Sequence, residues 1–151
     1  MNKKILTLLI IHQEDKILLG MKKRGFGIGK WNGFGGKVGE NETIKEATKR
    51  ELFEESGLTV SIIEKMGVVD FSWEHKPEDI LQVHIFKATK FSGFPIETEE
   101  MKPQWFLIKD IPYEKMWVDD KYWLPLFLEG KKFNGKFMFN EKNEVIKHEL
   151  A

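Results

Sequence analysis

The sequence predicts an α/β (α+β) domain in which a mixed β-sheet is sandwiched between helices. Two segments have helical patterns, and several short runs with strand character are interspersed with them, as in layered sheet-and-helix domains. The 151 residues contain no repeat, linker or low-complexity stretch, and a chain of this length is ordinarily one domain. We therefore expect a single domain over residues 1–151.

The first part of the chain predicts a β-hairpin followed by a long loop. Residues 5–12 (ILTLLIIH) form an apolar run typical of a buried strand, residues 13–15 a turn, and residues 16–21 the returning strand. Six glycines lie between residues 25 and 36. They predict a loop, because this density of glycine suits neither a helix nor a strand interior.

The clearest helix is predicted over residues 43–56. Thr43 and Glu46 have the spacing of a capping box, and Gly57 stands where a helix commonly ends. The later elements follow from their apolar patterns. They are strands at residues 60–69, 81–88 and 105–108, a second helix within 119–128, and a strand at 133–139.

Composition excludes several classes of protein. Lysine plus arginine number 24, as do aspartate plus glutamate, so the net charge is zero, whereas a duplex-binding domain usually has a basic excess. The absence of cysteine excludes disulfides and thiolate metal sites. The apolar run at residues 5–11 is too short to span a bilayer. We expect a cytoplasmic monomer (in a eukaryote, also mitochondrial or nuclear) that binds neither nucleic acid nor membrane.

The predicted helix carries carboxylates on the side that should face the protein. At 100° per residue, Glu51 and Glu55 fall within about 140° of the apolar Ala47 and Leu52. Glu54 borders this stripe, so the three glutamates at i, i+3 and i+4 are neighbours. A solvated charged face is the usual interpretation of a glutamate-rich helix. Inward carboxylates favour a divalent cation instead, and Mg²⁺ suits a site that also receives phosphates.

Residues 36–58 match a known motif at every specified position. Gly36, five residues, Glu42, seven residues and then the run RELFEESGL at 50–58 reproduce the pattern GX5EX7REUXEEXGU. By this motif the chain resembles the Nudix hydrolases, a family that cleaves diphosphate linkages in nucleoside diphosphate derivatives. The resemblance implies the Nudix fold for the whole domain.

The same resemblance implies a metal site. In Nudix hydrolases the glutamates of the motif hold one to three Mg²⁺ ions against the phosphates, and water attacks phosphorus. Matched to the motif and its surroundings, the metal-site residues are Gly35 (through its carbonyl), Glu51, Glu54, Glu55 and Glu100. Arg50 is expected to orient a glutamate. Either Glu100 or a glutamate of the motif could take the proton from water.

The flanking sequence resembles one branch of the family, the animal enzymes that hydrolyse oxidised purine nucleoside triphosphates. The resemblance extends from about residue 6 to residue 139 and is carried by residues 20–27, 31–37, 116–120 and 122–123. Such enzymes convert 8-oxo-dGTP and 2-hydroxy-dATP to the monophosphate and diphosphate, which keeps damaged bases out of DNA. Two alternatives stay open: a Nudix hydrolase for another nucleotide, and a catalytically silent Nudix module that only binds.

Three polar residues are predicted to contact the purine. Asn32 offers both an amide donor and a carbonyl acceptor. Asp119 and Asp120 are adjacent acids, and burial together with mutual repulsion can keep one of them protonated. Such a pair supplies a donor and an acceptor, and moving the proton would let one pocket accept guanine-like and adenine-like edges.

The remaining positions matched to the animal enzymes are predicted to line the substrate site. The expected pocket walls, each of which could instead be plain core, are Phe26, Phe71, Met101 and Trp117. Further expected contacts are Thr7, Lys22, Phe34, Gly35, Gly36 and Lys37. The chain departs from these enzymes at Trp73, Leu81 and a longer loop at residues 75–78, all near the predicted base pocket, so the preferred substrate stays open.

Overall fold

The computed structural model describes residues 2–151. Within that range the chain forms eight strands and two α-helices. In chain order they are β1 Asn2–Gln13, β2 Lys16–Lys22, β3 Trp31–Asn32, α1 Ile44–Ser56, β4 Glu64–Trp73, β5 Lys76–Ala88, β6 Met101–Leu107, α2 Asp120–Leu128, β7 Phe133–Phe139 and β8 Val145–Leu150. Two short 3₁₀ turns, Ile108–Asp110 and Tyr113–Lys115, connect β6 to α2.

The strands form one mixed sheet in the order β3-β2-β1-β5-β4-β7-β8, and β6 pairs with β2. The pairs β1–β5 and β4–β7 are parallel, and the other pairs are antiparallel. β1 pairs with β2 only beside the hairpin turn, from Ile11 to Gln13. Further from the turn, the loop after β3 bonds to β1 instead, through Leu9 N–H to Phe34 O (2.7 Å) and Thr7 N–H to Gly36 O (2.9 Å).

Alternation along β1 directs its side chains to two cores on opposite faces of the sheet. Leu8 and Ile10 pack on the face covered by α2, where Trp123 is fully buried. Leu9 and Ile11 pack on the face covered by α1. The sheet therefore lies between the two helices, as predicted.

Helix α1 begins and ends where the sequence predicts. The Thr43 side chain accepts a hydrogen bond from Glu46 N–H (3.1 Å), and the Glu46 carboxylate accepts one from Thr43 N–H (2.7 Å). Gly57 ends the helix in the left-handed region (φ 77°), and its N–H donates to Phe53 O. These caps satisfy backbone groups that the helix leaves unpaired and fix the position of its glutamates.

Other predicted boundaries were less accurate. The strand predicted from residue 60 begins at Glu64, because residues 60–63 form a connection after the bridge between Thr59 and Ser92. The short strand β3 interrupts the glycine-rich loop, and β8 was not predicted at all. Most β8 side chains are exposed, so its sequence lacks an apolar alternation.

Candidate active site

A large cavity of about 1340 Å³ opens on the α2 face of the sheet and reaches the loop beside β1. It brings together most of the residues predicted to bind substrate. The predicted residues that line it are Thr7, Lys22, Phe26, Asn32, Gly35, Gly36, Lys37, Glu55, Phe71, Met101, Trp117, Asp119 and Asp120. One end is therefore aromatic and acidic, and the other combines the glycine loop with lysines and Glu55.

Phe34 is the exception among the predicted contacts. Its side chain is fully buried in the core under α1, with Leu9 and Leu52, and does not line the cavity. Only its backbone serves the loop, through paired hydrogen bonds with Leu9. The assignment of Phe34 as a substrate contact is therefore corrected: its neighbours line the cavity, whereas Phe34 anchors the loop from behind.

The acidic end is formed by Asp119 and Asp120, each only 3% exposed. They stand at the start of α2, where the turn after the 3₁₀ segment directs both side chains inward. Asp119 Oδ2 accepts a hydrogen bond from Trp123 Nε1 (2.8 Å), whereas Asp120 Oδ2 is buried without a protein partner in residues 2–151. Trp123, placed one turn later by the helix, was not predicted as part of the site.

Burial raises the pKa of both carboxyl groups, and the charge of Asp119 raises that of Asp120 further. Burial and mutual repulsion both favour protonation of one carboxyl in such a pair. Lys30 lies near enough to oppose the rise at Asp120. The pair can thus present a hydrogen-bond donor and an acceptor side by side.

Aromatic side chains form the walls around these acids. Phe26 lies against Trp117 with ring centroids 5.0 Å apart, and Lys30 Nζ lies 5.2 Å from the Trp117 ring. On the opposite side, Phe71 stacks on Phe137 and Phe139. Phe26 is 68% exposed, so its ring forms the rim of the cavity. A planar heterocycle fits such walls because aromatic faces stack on it.

The loop Gly35–Gly36 is wedged between β1 and α1. A Cβ at Gly35 would lie 1.7 Å from the Thr7 carbonyl oxygen, and one at Gly36 would lie 2.6 Å from the Glu51 carboxylate. Gly35 N–H donates to Glu55 Oε1 (2.9 Å). Close approach of backbone thus requires glycine at position 35, whereas a Cβ at position 36 would displace the Glu51 carboxylate. The loop therefore lies directly against two glutamates of α1.

The glutamates of α1 lie in different environments. Glu55 is 4% exposed, and burial raises its pKa to about 8, although the Gly35 N–H opposes the shift. Burial also raises the pKa of Glu51, whereas Glu54 is largely exposed. Glu51 and Glu100 lie near enough for their charges to raise the pKa of Glu55 further. This is a set of acids that a cation would stabilise.

Arg50 connects these acids to the start of the motif. Its Nε and Nη2 donate to the Glu42 carboxylate (3.0 and 2.6 Å), and Nη1 donates to Glu51 (3.0 Å) and Glu54 (3.2 Å). Nη2 also donates to Lys37 O (3.1 Å). The pairing with Arg50 lowers the pKa of Glu42 to about 2. Arg50 therefore ties the loop to the helix, and the role of Glu42 as its partner was not foreseen.

Glu100 does not line the cavity and is held by basic residues of β2 and the following turn. Arg24 donates to its carboxylate through Nε (2.9 Å) and Nη2, and Lys22 Nζ lies 3.6 Å away. The hydrogen bonds from Arg24 are the main cause that lowers the pKa of Glu100, and Lys22 lowers it further. In residues 2–151, no three His, Asp or Glu side chains converge into a ready metal-ligating group. Instead, Arg24 pairs with Glu100, and Arg50 pairs with Glu51 and Glu54.

The donor set nevertheless suits Mg²⁺. Carboxylate oxygens and a nearby backbone carbonyl are the ligands this ion takes in proteins, and it usually retains several waters. Glu55 combines deep burial with two acidic neighbours, which is costly unless a cation or a proton is present. Of the predicted ligands, Glu51, Glu54, Glu55 and the Gly35 carbonyl are the groups that would hold it, whereas the fifth, Glu100, is paired with Arg24 and Lys22.

Comparison with known proteins agrees with this geometry. A family model described as the NUDIX domain matches residues 3–127. The chain therefore belongs to the Nudix family. The crystal structure of the mutator MutT protein from Bacillus halodurans is similar to it, with a TM-score of 0.88 at 28% identity over 98% of this chain and 97% of that one.

Two relatives within the family have a higher sequence identity to this chain. The chain is 50% identical over 147 residues to the oxidized purine nucleoside triphosphate hydrolase of Mus musculus and 51% identical to that of Danio rerio. Both alignments cover 97% of this chain and 94% of the relative. No helix among the described residues is long and apolar enough to cross a membrane.

Proposed function

We propose that this protein is a Mg²⁺-dependent pyrophosphohydrolase that converts oxidised purine nucleoside triphosphates to the monophosphate and diphosphate. The observation that carries the proposal is the cavity itself. A buried Asp119–Asp120 pair lies at its aromatic end, and Gly35, Gly36 and Glu55 lie at its other end. One nucleotide would then place its base against the acids and its phosphates against α1.

At the base end, the aspartate pair supports the choice of a modified purine. One ionised and one protonated carboxyl provide an acceptor and a donor, which complement the polar edge of 8-oxoguanine. With the proton on the other carboxyl, the order of donor and acceptor reverses and suits 2-hydroxyadenine. Asn32, whose amide is oriented by its bond to Gly33 N–H (2.8 Å), adds a further polar contact.

At the phosphate end of the cavity, the cationic and the acidic groups have different roles. Lys22 and Lys37 line the cavity and would offset phosphate charge. Glu51, Glu54 and Glu55 would hold Mg²⁺, which when bound neutralises phosphate oxygens and favours the attack of water. Arg50 keeps the first two of these carboxylates in place. A carboxylate, either Glu100 or one of α1, would take the proton from the attacking water.

A nucleotide panel tests the proposal. Purified protein with Mg²⁺ is incubated with 8-oxo-dGTP, 2-hydroxy-dATP, dGTP, dATP and a dinucleoside polyphosphate, and products are separated by chromatography. We expect the two oxidised purines to give the highest kcat/KM, with monophosphate and diphosphate as products. Preference for undamaged nucleotides or for the dinucleotide would overturn the substrate assignment. Failure to hydrolyse any of them would favour a module that only binds.

A further inference from the structure

Two buried polar atoms without a protein partner belong to residues paired across β1 and β5, next to the cavity. Among residues 2–151, only three buried side-chain polar atoms lack a hydrogen-bond partner: Thr7 Oγ1, His84 Nδ1 and Asp120 Oδ2. Thr7 and His84 are direct partners in the parallel register of β1 and β5. Adjacent strands are about 4.8 Å apart, and paired residues point to the same face of the sheet. The two side chains are therefore neighbours, and their residues are 3% and 7% exposed, but the two atoms form no direct hydrogen bond with each other.

The hydrogen bonds around His84 determine which of its ring nitrogens carries the proton. Gln82 Nε2 donates to Asp70 Oδ1 (3.1 Å), and a carboxylate there can only accept, so the Gln82 amide has one orientation. Its Oε1 then faces His84 Nε2 at 3.0 Å, and that nitrogen must donate. In the neutral ring Nδ1 is left with a lone pair, beside the Thr7 hydroxyl.

The environment of His84 favours the neutral ring. Burial lowers its pKa, and the charges of Lys65 and Lys3 lower it further, whereas Asp70 opposes them. A neutral ring with Nε2 protonated needs a donor at Nδ1, since a buried unpaired acceptor costs about 1–3 kcal/mol. The hydroxyl of Thr7 is a donor that itself lacks a partner.

Thr7 also supports the phosphate end of the cavity. Its N–H donates to Gly36 O (2.9 Å), and its carbonyl oxygen lies so close to Gly35 that no Cβ would fit between them. Gly35 in turn donates to Glu55 (2.9 Å). Thr7, the strand partner of His84, is thus connected through the glycine loop to a glutamate of the predicted metal site.

We propose that His84 is a positioning residue: its Nδ1 accepts a hydrogen bond from a water that in turn accepts one from the Thr7 hydroxyl, and this bridge fixes the segment of β1 that seats Gly35 and Gly36. The catalytic part of this inference rests on the proposed function, because Glu55 acts in that reaction. The hydrogen bond itself does not depend on any substrate.

Nuclear magnetic resonance of the full chain tests the hydrogen bond. Long-range ¹H–¹⁵N spectra at neutral pH should show His84 neutral with the proton on Nε2. Thr7→Val, which removes the hydroxyl at nearly constant shape, should move the Nδ1 resonance towards that of a nitrogen without a donor and shift the Gly35 amide. Thr7→Ser should restore both resonances. A proton on Nδ1, or a Gly35 amide indifferent to Thr7→Val, would overturn the proposal.

Kinetics test the positioning role. His84→Phe, at a residue that does not line the cavity, should lower kcat about 10-fold with KM changed less than about twofold, because small displacements of catalytic groups affect the chemical step. Thr7→Val should lower kcat by a similar factor. The double variant should lose no more than either single one. His12→Phe, a matched change at the other end of β1, should retain activity. Additive losses in the double variant, or no loss in His84→Phe, would refute the positioning role. A wild-type protein that hydrolyses no nucleotide would refute the proposed function instead, and the resonance spectra would still test the hydrogen bond.

Discussion

Replacing Glu55 with glutamine should stabilise the metal-free protein while abolishing hydrolysis. Burial raises the pKa of Glu55 from 4.5 to about 8 in the folded protein. The folded state therefore retains a proton that the unfolded chain releases, so stability falls as pH rises from about 4.5 to about 8. Glutamine has no such proton and still offers an oxygen to Gly35 N–H.

The size of the gain follows from the pKa difference. At pH 7 the solution is roughly 2.5 units above the ordinary pKa of glutamate, and each unit corresponds to about 1.36 kcal/mol. Glu55→Gln should then raise the free energy of unfolding by up to about 3 kcal/mol at pH 7. For a chain of this size, that corresponds to roughly 6–12 °C in melting temperature. Near pH 4.5 the gain should vanish.

Thermal unfolding in EDTA across pH 4.5–8.5 measures this directly. Glu40→Gln, at an exposed position ahead of α1, is the matched control and should unfold like the wild type. Addition of millimolar Mg²⁺ should stabilise the wild type more than Glu55→Gln, because the variant loses a charged ligand. Equal pH profiles for Glu55→Gln and wild type in EDTA would refute the reasoning, as would undiminished hydrolysis by the variant.

Three further predictions concern the cavity. Gly35→Ala should destabilise the fold by about 3 kcal/mol or more, since the new Cβ meets the rigid Thr7 backbone; a melting temperature near that of the wild type would contradict this. Gly36→Ala meets only the Glu51 carboxylate, so kcat/KM should fall about 100-fold while thermal unfolding changes little, and full activity would contradict it. Asp119→Asn should lower kcat/KM about 10- to 100-fold for at least one of 8-oxo-dGTP and 2-hydroxy-dATP, and unchanged kinetics on both would disprove the shared-proton mechanism.

Local signals account for what the sequence predicted well. The capping box at Thr43 and the stop at Gly57 depend only on residues a few positions apart, and both ends of α1 agree with them. The inward placement of Glu55 follows from helical periodicity alone. These features required no knowledge of the sheet.

What the sequence could not supply depends on contacts distant along the chain. Arg24 reaches Glu100 across 76 positions, and no local pattern indicates that pairing. Strand β8 lies at the sheet edge with polar side chains, so periodicity does not distinguish it from a loop. Phe34 was misassigned because its neighbours face the cavity, and only the packing against α1 reveals that it points the other way.

The parallel pairing of β1 with β5 has a consequence for how the chain folds. Asn2 is paired with Asp79, 77 positions later, so the first strand cannot complete its sheet until more than half of the chain has been synthesised. Contacts of such long range slow folding, because loop-closure entropy is lost before they form. Meanwhile the edge of β1 that will pair with β5 stays unpaired, and such edges are prone to aggregate. The substrate cavity is therefore completed late. The nascent chain should depend on chaperones most in the interval between the synthesis of β1 and that of β5.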